Sequence, residues 1–192
     1  MLRYLLLLLF LLPISLKSNE LRENFSILDS LVERVSVDIS NQIPNEAKPL
    51  NLIISEHPAS WLIKQHLINN ISKKKIPLTD SASENNLNIN ISKISVEYKL
   101  MKADDKLNRL VTVDIDGYIK YKLITPIGKQ KLVYSDTIAT DDVGVVEAST
   151  YAFAKSIVPH PKESFFEKYF QPLIYVSSAV IVTVLFFTLR SK

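Results

Sequence analysis

Two hydrophobic periods succeed each other along the chain, and the points where they switch divide it into elements. Leu21, Phe25, Leu28, Val32, Val35 and Ile39 recur at alternating spacings of four and three, which places them on one stripe of a helix ending near Pro44. Glu23, Ser30, Glu33 and Ser40 fall on the opposite face. After Pro49, the residues Leu50, Leu52, Ile53 and Ile54 make an apolar run of strand length. His57-Pro58 then opens a second helix, since proline suits a first turn where its missing N–H is not needed. That helix runs to about Lys75 and buries Trp61 or Leu62, with Ile63, Leu67, Ile68 and Ile71. The basic run Lys73, Lys74 and Lys75 reads as a solvated helix end that complements the negative pole of the dipole.

A polar loop over residues 79–86 precedes three strands. In the first, Leu87, Ile89 and Ile91 alternate, and the phase then slips by one to Ile94, Val96, Tyr98 and Leu100. A β-bulge near Ser92 and Lys93 restores a single buried face. After a turn over 102–106, Val111, Val113, Ile115, Gly117, Ile119, Tyr121 and Leu123 alternate with Thr112, Asp114, Asp116, Tyr118, Lys120 and Lys122, the pattern of a half-buried strand. The sequence predicts a turn over 126–129, a strand over 131–139, and a last helix over 143–158 capped by Asp141 and Asp142 and ended by Pro159 and Pro161. Strands in antiparallel succession with helices on one face predict an α+β two-layer sandwich built on an antiparallel meander sheet. The first short strand is left to pair in parallel with one of the others.

Both ends of the sequence are strongly apolar. Arg3 precedes the apolar residues 4–12, and Pro13 closes that run before Ser15, Lys17 and Ser18, which is the order of a secretory signal over 1–18. An uncleaved signal-anchor is the alternative. Residues 173–189 carry no charge, Lys168 lies before them, and Arg190 and Lys192 lie after. This predicts a transmembrane helix over 172–189 and a basic cytoplasmic tail over 190–192, in keeping with the positive-inside bias. An exported domain over 19–158 and a juxtamembrane linker over 159–171 complete the expected organisation. The membrane, through that single span, is the expected partner, together with a protein of the envelope.

Composition adjusts this picture in two ways. Of 23 basic residues, setting aside Arg3, Lys17, Arg190 and Lys192 leaves 19 against 20 acidic ones, so the formal charge of +3 belongs to the ends and gives no reason to expect nucleic acid. The chain has no cysteine, so a hydrophobic core alone must hold the domain and no thiol is present to carry a lipid anchor.

Candidate chemistry is sparse. His57, His66 and His160 are scattered along the chain, which argues against a metal cage. Ser55, Ser60 and His57 sit close in sequence, but no Gly-x-Ser-x-Gly elbow surrounds either serine, and helix capping accounts for them. Asp104, Asp105, Asp114, Asp116, Asp141 and Asp142 have no EF-hand spacing, and Gly117, Gly128 and Gly144 lie too far apart to cradle a phosphate. Asn24, Asn70 and Asn90 begin Asn-x-Ser sequons, which an Asn- and Ser-rich chain produces by chance. No catalytic, metal-ligating or cofactor-binding residue is therefore predicted, and no cofactor.

The leading helix, short apolar strand, second helix and long strands with a turn of the form Thr125-Pro126-Ile127-Gly128-Lys129 resemble the envelope proteins of the CsgG, TolB N-terminal and LpoB type. The likeness extends over about residues 25–142. It lacks the Ala-Asp-Tyr triplet and following glycine that often precede the long strands in that group, where residues 84–91 stand here. The resemblance implies action through protein contacts in the envelope. The expected function is a non-catalytic, membrane-anchored extracytoplasmic binding or scaffolding domain of a bacterial cell envelope. The alternatives are an accessory subunit of an envelope transport or secretion complex, in which Ser177, Ser178 and Ala179 permit close helix packing, and a hydrolase with an unrecognised site, a reading that a deep polar pocket lined by Asp114, Asp116 and Tyr118 would favour.

Overall fold

The computed structural model describes residues 21–81, 83–101, 106–159 and 165–190. The predicted signal over 1–18, Asp104, Asp105, His160 and the last residues of the predicted tail lie outside them. Helix α1 (Asn24–Asn41) buries Ile27, Leu28, Leu31, Val32, Val35 and Ile39, close to the stripe that four-and-three spacing predicts. Strand β1 (Leu50–Ile54), helix α2 (Ser60–Lys73) and a two-residue strand β2 (Leu78–Thr79) follow. Three long strands come next, β3 (Asn85–Leu100), β4 (Lys106–Tyr121) and β5 (Leu123–Ala139).

The strands lie in the order β2-β1-β3-β4-β5. The sheet is α+β in setting but mixed in direction, and not the purely antiparallel meander expected: β1 runs parallel to both β2 and β3, and only β3, β4 and β5 alternate. Parallel neighbours need a crossover long enough to return the chain to its starting end, and α2 supplies it between β1 and β3. One hydrophobic core joins α1 and α2 to Leu87, Ile89, Ile94 and Val96 of β3 and to Val111, Val113, Ile115 and Ile119 of β4. In α2 it is Leu62 that is buried, while Trp61 stays 41% exposed.

The bulge predicted near Ser92 is present, as a register shift between Ile91 and Lys93. A second lies on β5, where Ile127 faces Gly117 and Gln130 faces Ile115, leaving two residues opposite one. The turn expected over 126–129 is in fact this bulged part of β5. The chain reverses at Lys122, whose φ of 56° lies in the left-handed region. Pro126 is accommodated because β5 is an outermost strand, where a missing N–H leaves no neighbour unpaired.

The last predicted helix shrinks to α3 (Val143–Val146), followed by an irregular arm with one 3-10 turn, Ala152–Ala154. Its Val-Gly-Val-Val sequence has low helix propensity. Asp142 stands at the N-cap without a side-chain cap bond. Glu147 is drawn away from helix by other bonds: its Oε1 accepts from the Tyr98 hydroxyl at 3.0 Å and from the Ser156 N–H at 2.8 Å.

Helix α4 (Phe165–Arg190) begins before the predicted span and contains Pro172. The expected transmembrane span over 172–189 is not supported, because among the described residues no helix is long and apolar enough to cross a membrane. Pro172 stands at the start of that span. The span also carries the hydroxyls of Ser177, Ser178, Thr183 and Thr188, each bonded back to a carbonyl four residues earlier. The membrane as a partner held through that span falls with it.

Candidate functional site

The two faces of the sheet differ in chemistry. The helix-facing side is apolar except at one end, where Arg109 is fully buried. Its guanidinium donates to Asp136 through two nitrogens, with Nε to Oδ1 at 2.8 Å, while Nη1 donates to the Arg22 carbonyl at 2.8 Å and Asn24 Oδ1 at 3.0 Å. Asn24 Nδ2 donates in turn to the Tyr98 hydroxyl at 2.8 Å and the Ala154 carbonyl at 2.9 Å. Burial works against the charged guanidinium, but the Asp136 carboxylate more than offsets it and holds the pKa of Arg109 above its ordinary value. Burial, helped by Glu147 and opposed by the Asn24 bond, pushes Tyr98 up to about 12. Tyr134, whose hydroxyl donates to Asp136 at 3.1 Å, is raised by burial and by that carboxylate. Every member is engaged with another, so the cluster ties the first turn of α1, three strands and the arm together. It offers no free nucleophile or base to a substrate.

The opposite face is polar and partly exposed. Its rows follow from the register: Asn88 beside Tyr118, Asn90 beside Asp116, and Lys93, Asp114 and Lys131 across three strands. Both bulges flank residues 114–117 of β4, one on each neighbouring strand. Asp116 accepts from Ser92 Oγ at 2.7 Å and Asn90 Nδ2 at 3.2 Å. Asp114 is 7% exposed, with Lys129 Nζ 3.2 Å from Oδ2 and Oδ1 unpaired among the described residues. Gly117 is required by close approach, since a Cβ there would stand 2.2 Å from the Asn88 carbonyl oxygen. Beside it lies an open groove of about 340 Å³ lined by Ile53, Ser55, Asn88, Asn90, Asp116 and Tyr118. Asp114 does not line it, so the three residues of the expected polar pocket are not brought together there.

A smaller groove, about 240 Å³, lies at the other margin of the sheet between β1 and α2. Its lining is Leu52, Lys64, Ile68, Leu78, Thr79 and Asp80. Sequence reasoning missed it because its shape depends on where β2 stops.

The remaining candidates serve local structure. His57 Nδ1 accepts the Ala59 N–H at 3.0 Å, and partial burial lowers the His57 pKa. Ser60 Oγ lies 2.8 Å from both the Ser55 and His57 carbonyls, and Ser55 Oγ accepts the Ile91 N–H at 3.0 Å, so neither serine bonds to an imidazole nitrogen. His66 Nε2 meets Asp29 Oδ1 at 2.7 Å between the helices. Lys74 is no solvated end: its Nζ donates to the Ser40 and Ile43 carbonyls at 2.8 and 2.7 Å and so caps α1. Two of the sequon asparagines, Asn24 and Asn70, are buried at 0% and 6% exposure.

No protein-family model matches the chain, and no curated protein matches it. Among solved structures, it is similar to a minor lipoprotein from Acinetobacter baumannii, at 15% identity and a TM-score of 0.34, over 51% of this chain and 70% of that one. A superposition this loose transfers neither fold nor activity. It does not specifically bear on the CsgG, TolB N-terminal and LpoB group, and the turn that carried that resemblance lies within β5.

Proposed function

We propose that the chain is a non-catalytic, extracytoplasmic binding domain of a bacterial cell envelope. The observation that carries this reading is the asymmetry of the sheet. One face is closed by the core and a fully engaged polar cluster, while the other presents Asn90, Asp116 and Tyr118 around a shallow, open groove. The carboxylate of Asp116 is held by Ser92 and Asn90, an arrangement that orders a recognition surface and leaves no paired acid and base. Arg3 and the apolar residues 4–12 support export.

Photocrosslinking in living bacteria tests the proposal. A benzophenone amino acid replaces Tyr118 or Ser135 on the open face, or Arg34 on the exposed side of α1. Adducts with an envelope protein from the open-face positions and none from position 34 support the reading. Adducts confined to cytoplasmic proteins, or equal yields from all three positions, refute it.

A further inference from the structure

Strand β1 has an outer edge that its own neighbour covers only in part. Pairing with β2 stops at Asn51 and Thr79. There Thr79 Oγ1 accepts the Ser81 N–H at 3.1 Å and turns the chain away. Backbone groups alternate in direction along a strand: the Leu50 N–H donates to the Pro77 carbonyl on the β2 side at 3.0 Å, and the Ser55 N–H to the Ile89 carbonyl on the β3 side at 2.9 Å. Leu52 and Ile54 are in step with Leu50, so their carbonyls, and the Ile54 N–H, point to the side that β2 vacates. The 240 Å³ groove lies along this edge, with Leu52 on one wall and Lys64 and Ile68, one helical turn apart, on the other.

From this geometry we infer that the β1 edge is a strand-addition site for an extended segment of a partner protein, which takes up the sheet position that β2 leaves after two residues. The inference rests on the binding role proposed above and adds to the open face a second contact surface, on the other side of β1. The chemistry of the occupant follows from the walls. Its main chain pairs with Ile54, one apolar side chain enters between Leu52, Ile68 and Leu78, and a carboxylate meets the exposed Lys64, which shares the lining with one acidic residue, Asp80. β2 itself shows that this edge accepts an extended strand in parallel. The sequence Leu-Asn-Leu-Ile-Ile of β1 contains none of the lysines or prolines that repel a strand from an edge.

The test is a selection of short random peptides displayed on phage against the purified full chain, followed by titration of the enriched peptide, made synthetically, into the isotope-labelled protein. The expected result is enrichment of peptides that pair an apolar with an acidic residue, with amide shifts at Leu52, Ile54, Ile68 and Thr79. Lys64→Glu then weakens binding at least about five-fold while Lys64→Gln weakens it less, and both variants keep the parent circular dichroism. Failure to enrich any peptide overturns the inference. Shifts confined to Asn90, Asp116 and Tyr118 also overturn it but leave the binding role intact. Concentration-dependent shifts of the edge amides without peptide mean that a second copy occupies the edge, and they overturn the partner-segment assignment.

Discussion

The two margins of the sheet meet the same hazard in opposite ways. Strand β5 spans Leu123–Ala139 and among the described residues pairs with β4 alone, so one whole side of its backbone lies at the sheet margin. It carries Pro126, a bulge, Lys129 and Lys131, each of which discourages a further strand. Strand β1 is five residues long and carries no such residue; among the described residues its protection is its brevity and the pairing of β2 with its first positions. A long edge in this molecule is guarded by chemistry, whereas the short one is left chemically open beside a groove. That difference marks β1, and not the larger β5, as the edge suited to a chosen partner.

The contrast is broken most severely where β5 is anchored. Asp136→Ala removes the carboxylate that pairs with the fully buried Arg109 and leaves a charge without compensation. The expected loss is about 3–5 kcal/mol in urea unfolding, with β5 amides exchanging faster than those of β1. Next comes Gly117→Ala, which sets a methyl group 2.2 Å from the Asn88 carbonyl oxygen and forces β3 and β4 apart. A loss of about 2–3 kcal/mol is expected, again from urea unfolding; a neutral result would show that the two strands separate without strain.

A third prediction concerns pH. Tyr98 titrates at about 12 in the fold against 10.0 when unperturbed, so the folded state keeps a proton that the unfolded chain gives up. Its contribution is whole below about pH 10 and is lost as pH rises through about 12. Melting temperatures of the parent protein should therefore fall over that interval, and Tyr98→Phe should flatten the fall. The smallest effect on stability is expected from Lys131→Val on the guarded edge, within about 0.5 kcal/mol. Light scattering on heating should nonetheless rise, because a repelling charge has been replaced by a strand-forming residue.

Strands β3 and β4 could be read from sequence because each alternates buried with more exposed positions. Even the slip at Ser92 was visible, since Ile91 and Ile94 cannot share a face without an extra residue between them. The turn was misread because Pro126 and Gly128 form turn chemistry in isolation, and only the pairing of Gly117 with Ile127 shows them inside a strand. The last helix is shorter than its pattern suggests for a local reason, the low propensity of Val-Gly-Val-Val, and a tertiary one, the bonds of Glu147 to Tyr98 and Ser156. Asp114 and Asp116 do lie on the face away from the helices, but Asp114 is buried there and only Asp116 is partly exposed. The groove at β1 left no trace in composition or period, because it is created by a strand ending after Thr79.

The bond from Asn24 to the Ala154 carbonyl, 2.9 Å long, has a mechanical consequence. It joins the first residue of α1 to the arm after the last strand, so two segments 130 residues apart in the chain are fastened to each other. A pull applied between them loads this junction and the neighbouring Glu147 bonds before any strand pair. Under tension the arm is expected to peel first, which force spectroscopy would read as a small unfolding step before the rupture of the five-stranded sheet.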